Sequence, residues 1–231
     1  MIGFYNYTVI LTYLSLISAS CGIMVSLNGG GHPYIGAFFL LFSGLCDAFD
    51  GKVARTKKDR SQLECNFGIQ IDSLSDLVAF GVLPASIACA MIRRSPLVYS
   101  IGQQCGAICR KALISVLFLV LILYILAAMI RLAYFNVTEE ERQKTEGGVR
   151  VFFTGLPVTS AALIFPLILL LQYIIPADIT PVYFVIMLLT GLAFLSKFQI
   201  RKPGLRGILI MVGIGAVEFI LMLIGRILLH H

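Results

Sequence analysis

Four aspartates hold the chemistry this sequence can perform. One apolar stretch closes with Asp47-Ala-Phe-Asp50-Gly51-Lys-Val-Ala54-Arg55, and the next opens with Gly68-Ile-Gln-Ile-Asp72-Ser-Leu-Ser-Asp76. Asp47 and Asp50 are spaced i,i+3, and Asp72 and Asp76 i,i+4, so each pair shares one helix face. Gly68 lies one turn back on the face of Asp72. Carboxylates are among the costliest side chains to place in a membrane span. If the two helices run antiparallel as neighbours, all four acids point into one gap and repel. One or two divalent cations relieve that repulsion. A donor set of oxygens without His or Cys favours magnesium, manganese or calcium over zinc or copper.

The residues between the acids fit the same purpose. Gly51, Ala54 and Gly68 put no bulk into the gap, so a nucleotide pyrophosphate can approach backbone and metal closely. Arg55, one turn from Gly51, can hold a phosphate bidentately. A single intramembrane aspartate could instead cap a helix or pair with a nearby Lys or Arg. Four at these spacings, interleaved with glycine and alanine, fit that alternative poorly.

The elements that must position these acids are membrane spans. Of the 231 residues, 58% are hydrophobic and only 13% charged, with a mean hydropathy of +0.93. A soluble domain carries about 25% charged residues. Seven stretches approach the length of a spanning helix: 5–28, 34–56, 68–92, 112–136, 155–175, 179–197 and 206–229. The expected fold is an all-α polytopic transmembrane bundle forming one domain over residues 1–231. Gly29-Gly30-Gly31 with Pro33 marks a tight turn, and 57–67, 137–150 and Arg201-Lys202-Pro203-Gly204 read as polar loops. The first stretch lacks a basic leader and a cleavage site, so it reads as a retained span.

Placing the N-terminus in the cytoplasm collects Lys52, Arg55, Lys57, Lys58, Arg60, Arg142, Lys144, Arg150, Lys197, Arg201, Lys202 and Arg206 on that side. Arg93, Arg94, Arg110, Lys111 and Arg226 lie opposite, and 93–111 reads as a segment on the interface. The acids then face the cytosol. The net charge of +6 fits short loops beside anionic headgroups. Without a basic helix interleaved with aromatics, nucleic acid is excluded as a partner. Cys21, Cys46, Cys65 and Cys89 read as small apolar residues. Cys105 and Cys109 lack the further ligands of a zinc site, and a loop disulfide is the alternative. His230-His231 is given no function.

The pattern Asp-x-x-Asp-Gly-x-x-Ala-Arg followed by Gly-x-x-x-Asp-x-x-x-Asp resembles the signature of the CDP-alcohol phosphotransferase family. Every fixed position is present, although the twelve residues between Arg55 and Gly68 exceed the family's usual linker. Within the family the chain is most similar to phosphatidylserine synthases of bacteria and archaea. That similarity is carried by 68–84, by Arg131-Leu-Ala-Tyr-Phe-Asn136 and by Phe153-Thr-Gly-Leu-Pro-Val158. Tyr134 stands where that subgroup often has an arginine. The first helix offers Asn6, Thr8, Thr12 and Ser15 in place of a Pro-Asn opening.

The resemblance implies six core helices, so that 206–229 is an additional span, and a homodimer in a bacterial or archaeal cell membrane. It implies transfer of a phosphatidyl group from CDP-diacylglycerol to L-serine, giving phosphatidylserine and CMP. In it Asp47, Asp50, Asp72 and Asp76 surround two metals, and Asp76 is the general base. Gly51, Ala54, Arg55, Gly68, Thr12 and Ser15 contact CDP. Arg131 is the expected partner of the serine carboxylate, with snorkelling to the surface as its alternative, and Asn136 lines the acceptor pocket. Glycerol phosphate or inositol phosphate as acceptor, a diether CDP-lipid as donor, and a cation transporter remain alternatives.

Overall fold

The computed structural model describes residues 3–29, 31–145, 152–175, 177–201 and 205–229. The parts of the expected loops at 146–150 and 202–204, and His230-His231, lie outside the described residues. All seven apolar stretches contain helix. They form α1 (Ile10–Leu27), α2 (Pro33–Ala54), α3 (Gln62–Asp76) continuing into α4 (Leu83–Arg94), and α6 (Gly106–Thr145). The last three are α7 (Ala161–Ile174), α8 (Thr180–Leu195) and α9 (Leu205–Leu229). Four helical runs are long and apolar enough to cross a membrane: Tyr7–Leu27, Pro33–Ala54, Gln62–Arg94 and Gly106–Arg142. The protein is an integral membrane protein. One small addition to an all-helical reading is a ribbon of β1 (Phe152–Thr154) and β2 (Gln199–Arg201), antiparallel with Phe153 opposite Ile200.

Two expected loops prove shorter. The loop read at 57–67 ends at Ser61, because Ser61 caps α3: its hydroxyl accepts the Glu64 N–H at 3.1 Å, and Glu64 accepts from the Ser61 N–H in return. The loop read at 137–150 begins no earlier than the end of α6 at Thr145. Its Glu-, Gln- and Arg-rich residues are good helix formers, and Glu139 pairs with Arg142 at 2.7 Å. At 1.5 Å per residue α6 is about 60 Å long, so it must project beyond a bilayer. The 93–111 connection holds a short helix, α5 (Pro96–Gln104), that packs on α6. Cys105 and Cys109 beside it are exposed free thiols.

Small residues bring α1, α2 and α7 close. Ser15 and Ser43 each donate to the other's backbone carbonyl, and the Ser18 hydroxyl donates to Phe39 O at 2.9 Å. A Cβ at Gly44 would lie 2.5 Å from that of Ala162. Such close approach replaces the hydrophobic drive that lipid removes.

Between α3 and α4 the helix widens into a π turn at Leu77–Val82, directly after Asp76. Pro84 supplies the cause: it has no N–H, and its ring would strike the carbonyl four residues back, that of Phe80. The released carbonyl accepts the buried Tyr124 hydroxyl at 2.7 Å. Tyr183 donates to Pro84 O at 3.1 Å. Tyr124, Phe165, Tyr183 and Phe194 form one aromatic cluster joining α6, α7 and α8. Gly155 (φ +74) turns the chain into α7 where any Cβ would lie 2.7 Å from Ser196 O.

At the opposite end of the bundle, Asp178 caps two helices. It accepts from the Ser95 hydroxyl, from Leu97 N at 3.2 Å and from Thr180 N at 2.9 Å. Burial pushes its carboxyl up, but these hydrogen bonds outweigh burial and hold it below its ordinary value. Because the folded value is depressed, the stabilisation is present at neutral pH and is lost as pH falls through that value. Asp178→Ala is therefore expected to cost about 1–2 kcal/mol at neutral pH, a drop of a few degrees in Tm in detergent. The gap to wild type should close in acid. Equal midpoints at pH 7 would contradict the capping role.

Candidate active site

The acids on the last turns of α2 meet those on the last turns of α3. Asp47, Asp50 and Asp72 each bring a carboxylate oxygen within 4.8 Å of the other two. Asp76 completes the group from one turn deeper, within hydrogen-bonding reach of Asp47, as Asp72 is of Asp50. Asp50 and Asp76 are each 8% exposed, while Asp47 and Asp72 are half-buried. The ion pairs among the described residues are Lys57–Glu64 and Arg142–Glu139, and neither includes these acids. The alternative of private pairs with Lys or Arg is not what the described residues show. Asp50 accepts from the Gly51 N–H and, at 3.4 Å, from the Thr12 hydroxyl. Ser75 donates to Thr12 O at 3.2 Å, which ties α3 to α1.

The residues expected to contact CDP divide into three groups. Gly51 and Arg55 are exposed at the end of α2, and a Cβ on Gly51 would meet only Arg55 Nη2, at 3.8 Å. Ala54 and Gly68, one turn from Asp50 and Asp72 in the sequence, both meet the Arg60 guanidinium: Nη1 donates to Ala54 O at 3.5 Å, and Nη2 lies over Gly68. Thr12 touches Asp50, whereas Ser15 is buried in the α1–α2 contact with its hydroxyl on Ser43 O.

Of the expected acceptor contacts, Arg131 is buried at 6% exposure, with its guanidinium 5.3 Å from the centroid of the Phe135 ring. The side chain is thus covered by protein and not turned out to the surface. Asn136 donates to the Ser73 hydroxyl at 2.8 Å, which sets α6 against α3 one residue from Asp72.

Two residues escaped the sequence reading. Glu64 is 5% exposed and gathers Lys57 at 2.7 Å, the Asn6 amide and the α3 cap. The Ser61-x-x-Glu64 capping signature was the signal that could have found it. Arg60, within the polar loop expected at 57–67, is half-buried and turned toward Gly68. A cavity of about 410 Å³ lies at the other end of the bundle, among Pro33, Arg94, Ser95 and Asp178, away from the acids.

The donor set suits a hard divalent cation: three clustered oxygens with a fourth beside them and no soft ligand. The cluster could thus hold a metal.

The chain is 37% identical over 150 residues to the CDP-diacylglycerol--serine O-phosphatidyltransferase of Saccharomyces cerevisiae, covering 63% of this chain and 45% of that protein. It is 28% identical over 189 residues to the Helicobacter pylori protein of the same name, covering 80% and 68%. It is 35% identical over 152 residues to the archaetidylserine synthase of Methanothermobacter thermautotrophicus, covering 64% and 52%. The chain thus spans under half the length of the yeast relative and about two thirds of the Helicobacter one. No solved structure gives a significant match. The sequence profile described as CDP-alcohol phosphatidyltransferase matches residues 5–216. That range takes in all four acids and every helix packed around them, and the chain belongs to the CDP-alcohol phosphatidyltransferase family.

Proposed function

We propose that the protein transfers a phosphatidyl group from CDP-diacylglycerol to L-serine, releasing CMP, with a divalent metal held by the acid cluster. The observation that carries this is the meeting of Asp47, Asp50 and Asp72 within 4.8 Å, with Asp76 alongside and no described ion pair to a basic residue. The names of the similar proteins support the substrates. Two of the three name serine as the acceptor, and the third makes a serine lipid. Those names agree on serine more than on the lipid, so a diether donor is the second reading. Glycerol phosphate or inositol phosphate finds no support among them.

Asp47, Asp50 and Asp72 would hold the metal, with Asp76 adjoining. When bound, it supplies compensating charge for the pyrophosphate and for departing CMP. The chain's own residues do the rest. The open surface at Gly51 leaves room for the nucleotide beside Arg55. Asp76, mostly buried and next to Asp47, takes the proton of the serine hydroxyl as that oxygen attacks the β-phosphorus. The new P–O bond forms as the bond to the CMP oxygen breaks. Buried Arg131 on α6 offers a cation for the serine carboxylate, and Asn136 orders the α3 face near Asp72. On this reading the site opens to the cytosol, the lipid tails lie between helices, and the protein works as a homodimer. The chain is one catalytic domain, with α9 an added span packed on α2 and α7.

Purified protein with CDP-diacylglycerol and manganese is expected to incorporate labelled serine into lipid and release CMP, and chelation should reduce both to background. Incorporation of glycerol phosphate but not serine would overturn the acceptor. Asp76→Asn is expected to lower turnover by about 100-fold or more while CDP still binds. A near wild-type rate would remove Asp76 from the base role.

A further inference from the structure

The loop between α2 and α3 carries four cations, and the fold treats them differently. Lys57 is neutralised by Glu64 at 2.7 Å. Arg55 and Lys58 are exposed. Arg60 folds back over the start of α3 and is half-buried. Its Nη1 donates to Ala54 O at 3.5 Å and its Nη2 to Glu64 O at 3.4 Å. Both are at the outer limit for a hydrogen bond. Its Nε is buried with no partner among the described residues.

The position matters as much as the incomplete bonding. Ala54 is one turn beyond Asp50, and Gly68 is one turn before Asp72. A Cβ on Gly68 would lie 2.8 Å from Arg60 Nη2, so the missing side chain is what lets the guanidinium lie on α3. The guanidinium therefore occupies the groove that holds Asp50 and Asp72, about 5 Å outward along it. A planar fork of donors, weakly held by two carbonyls, is built to take an oxyanion. Neither described ion pair joins Arg60 to the acids.

On the reading that this groove takes a CDP-linked donor, we infer that Arg60 binds a phosphate oxygen of that donor, exchanging its long contacts to Ala54 and Glu64 for a charge-assisted pair. Arg60 is thus a binding residue for the donor, not for the acceptor.

The test uses the full-length protein in detergent with manganese, titrated with CDP and assayed for transfer from CDP-diacylglycerol. Arg60→Ala is expected to weaken CDP binding and raise KM for CDP-diacylglycerol by about tenfold. The kcat and the KM for serine should stay within about twofold. Arg60→Gln, which keeps a neutral donor in reach of the two carbonyls, should lose as much as Arg60→Ala. Arg60→Lys should fall between them and wild type, and Lys58→Ala should match wild type. Unchanged CDP affinity in Arg60→Ala and Arg60→Gln would overturn the assignment. So would tighter binding, the mark of a side chain that only plugs the groove, or a rise confined to the KM for serine. CDP binding needs no acceptor. A wild type that binds CDP, loses it on Arg60→Ala and refuses serine supports Arg60 while overturning serine as substrate. A wild type that binds no CDP overturns both.

Discussion

Carboxylates held within 4.8 Å of one another between two apolar helices repel. At an effective dielectric constant of about 20, each ionised pair at that distance costs roughly 3 kcal/mol. Nothing basic among the described ion pairs offsets this for Asp47, Asp50 and Asp72. The rest of the molecule can be understood as what forces the acids together regardless. The α1–α2 contact, sealed by Ser15, Ser18 and Ser43, fixes α2. Ser75 on Thr12 O and Asn136 on Ser73 fix α3. A scaffold that holds like charges together against their repulsion leaves a cation as the natural means of relief.

The π turn after Asp76 extends the same logic. Pro84 breaks the regular ladder, Phe80 O is released, and the Tyr124 hydroxyl takes it up. The orientation of α3, and hence of Asp72 and Asp76, is therefore coupled to the aromatic cluster that joins α6, α7 and α8. The acid cluster is anchored on α1, α2 and α6 at once, which suits a site that must present fixed charge to a reacting phosphate.

Much of this was legible from residue types alone. The spacing of Asp47, Asp50, Asp72 and Asp76 predicts shared faces because helical periodicity is local. The seven apolar stretches announce helices because lipid permits little else. What escaped depends on contacts between residues far apart or on side-chain direction. Glu64 looked like a loop residue until its cap with Ser61 drew it into α3. Arg60 belonged to an expected polar loop, and the bare face of Gly68 with the Ala54 and Glu64 carbonyls turns it inward. Ser15 looked like a groove hydroxyl, but the backbone of Ser43 reaches it first. The exchange between Tyr124 and Phe80 could not be foreseen, since the partners are 44 residues apart.

The central claim is that these aspartates serve one shared cation. Its most direct measurement is anomalous diffraction from crystals of the protein grown with manganese. The account predicts a manganese peak ligated by oxygens of Asp47, Asp50 and Asp72. Manganese bound elsewhere, with those carboxylates turned apart or paired with Lys or Arg, would contradict it.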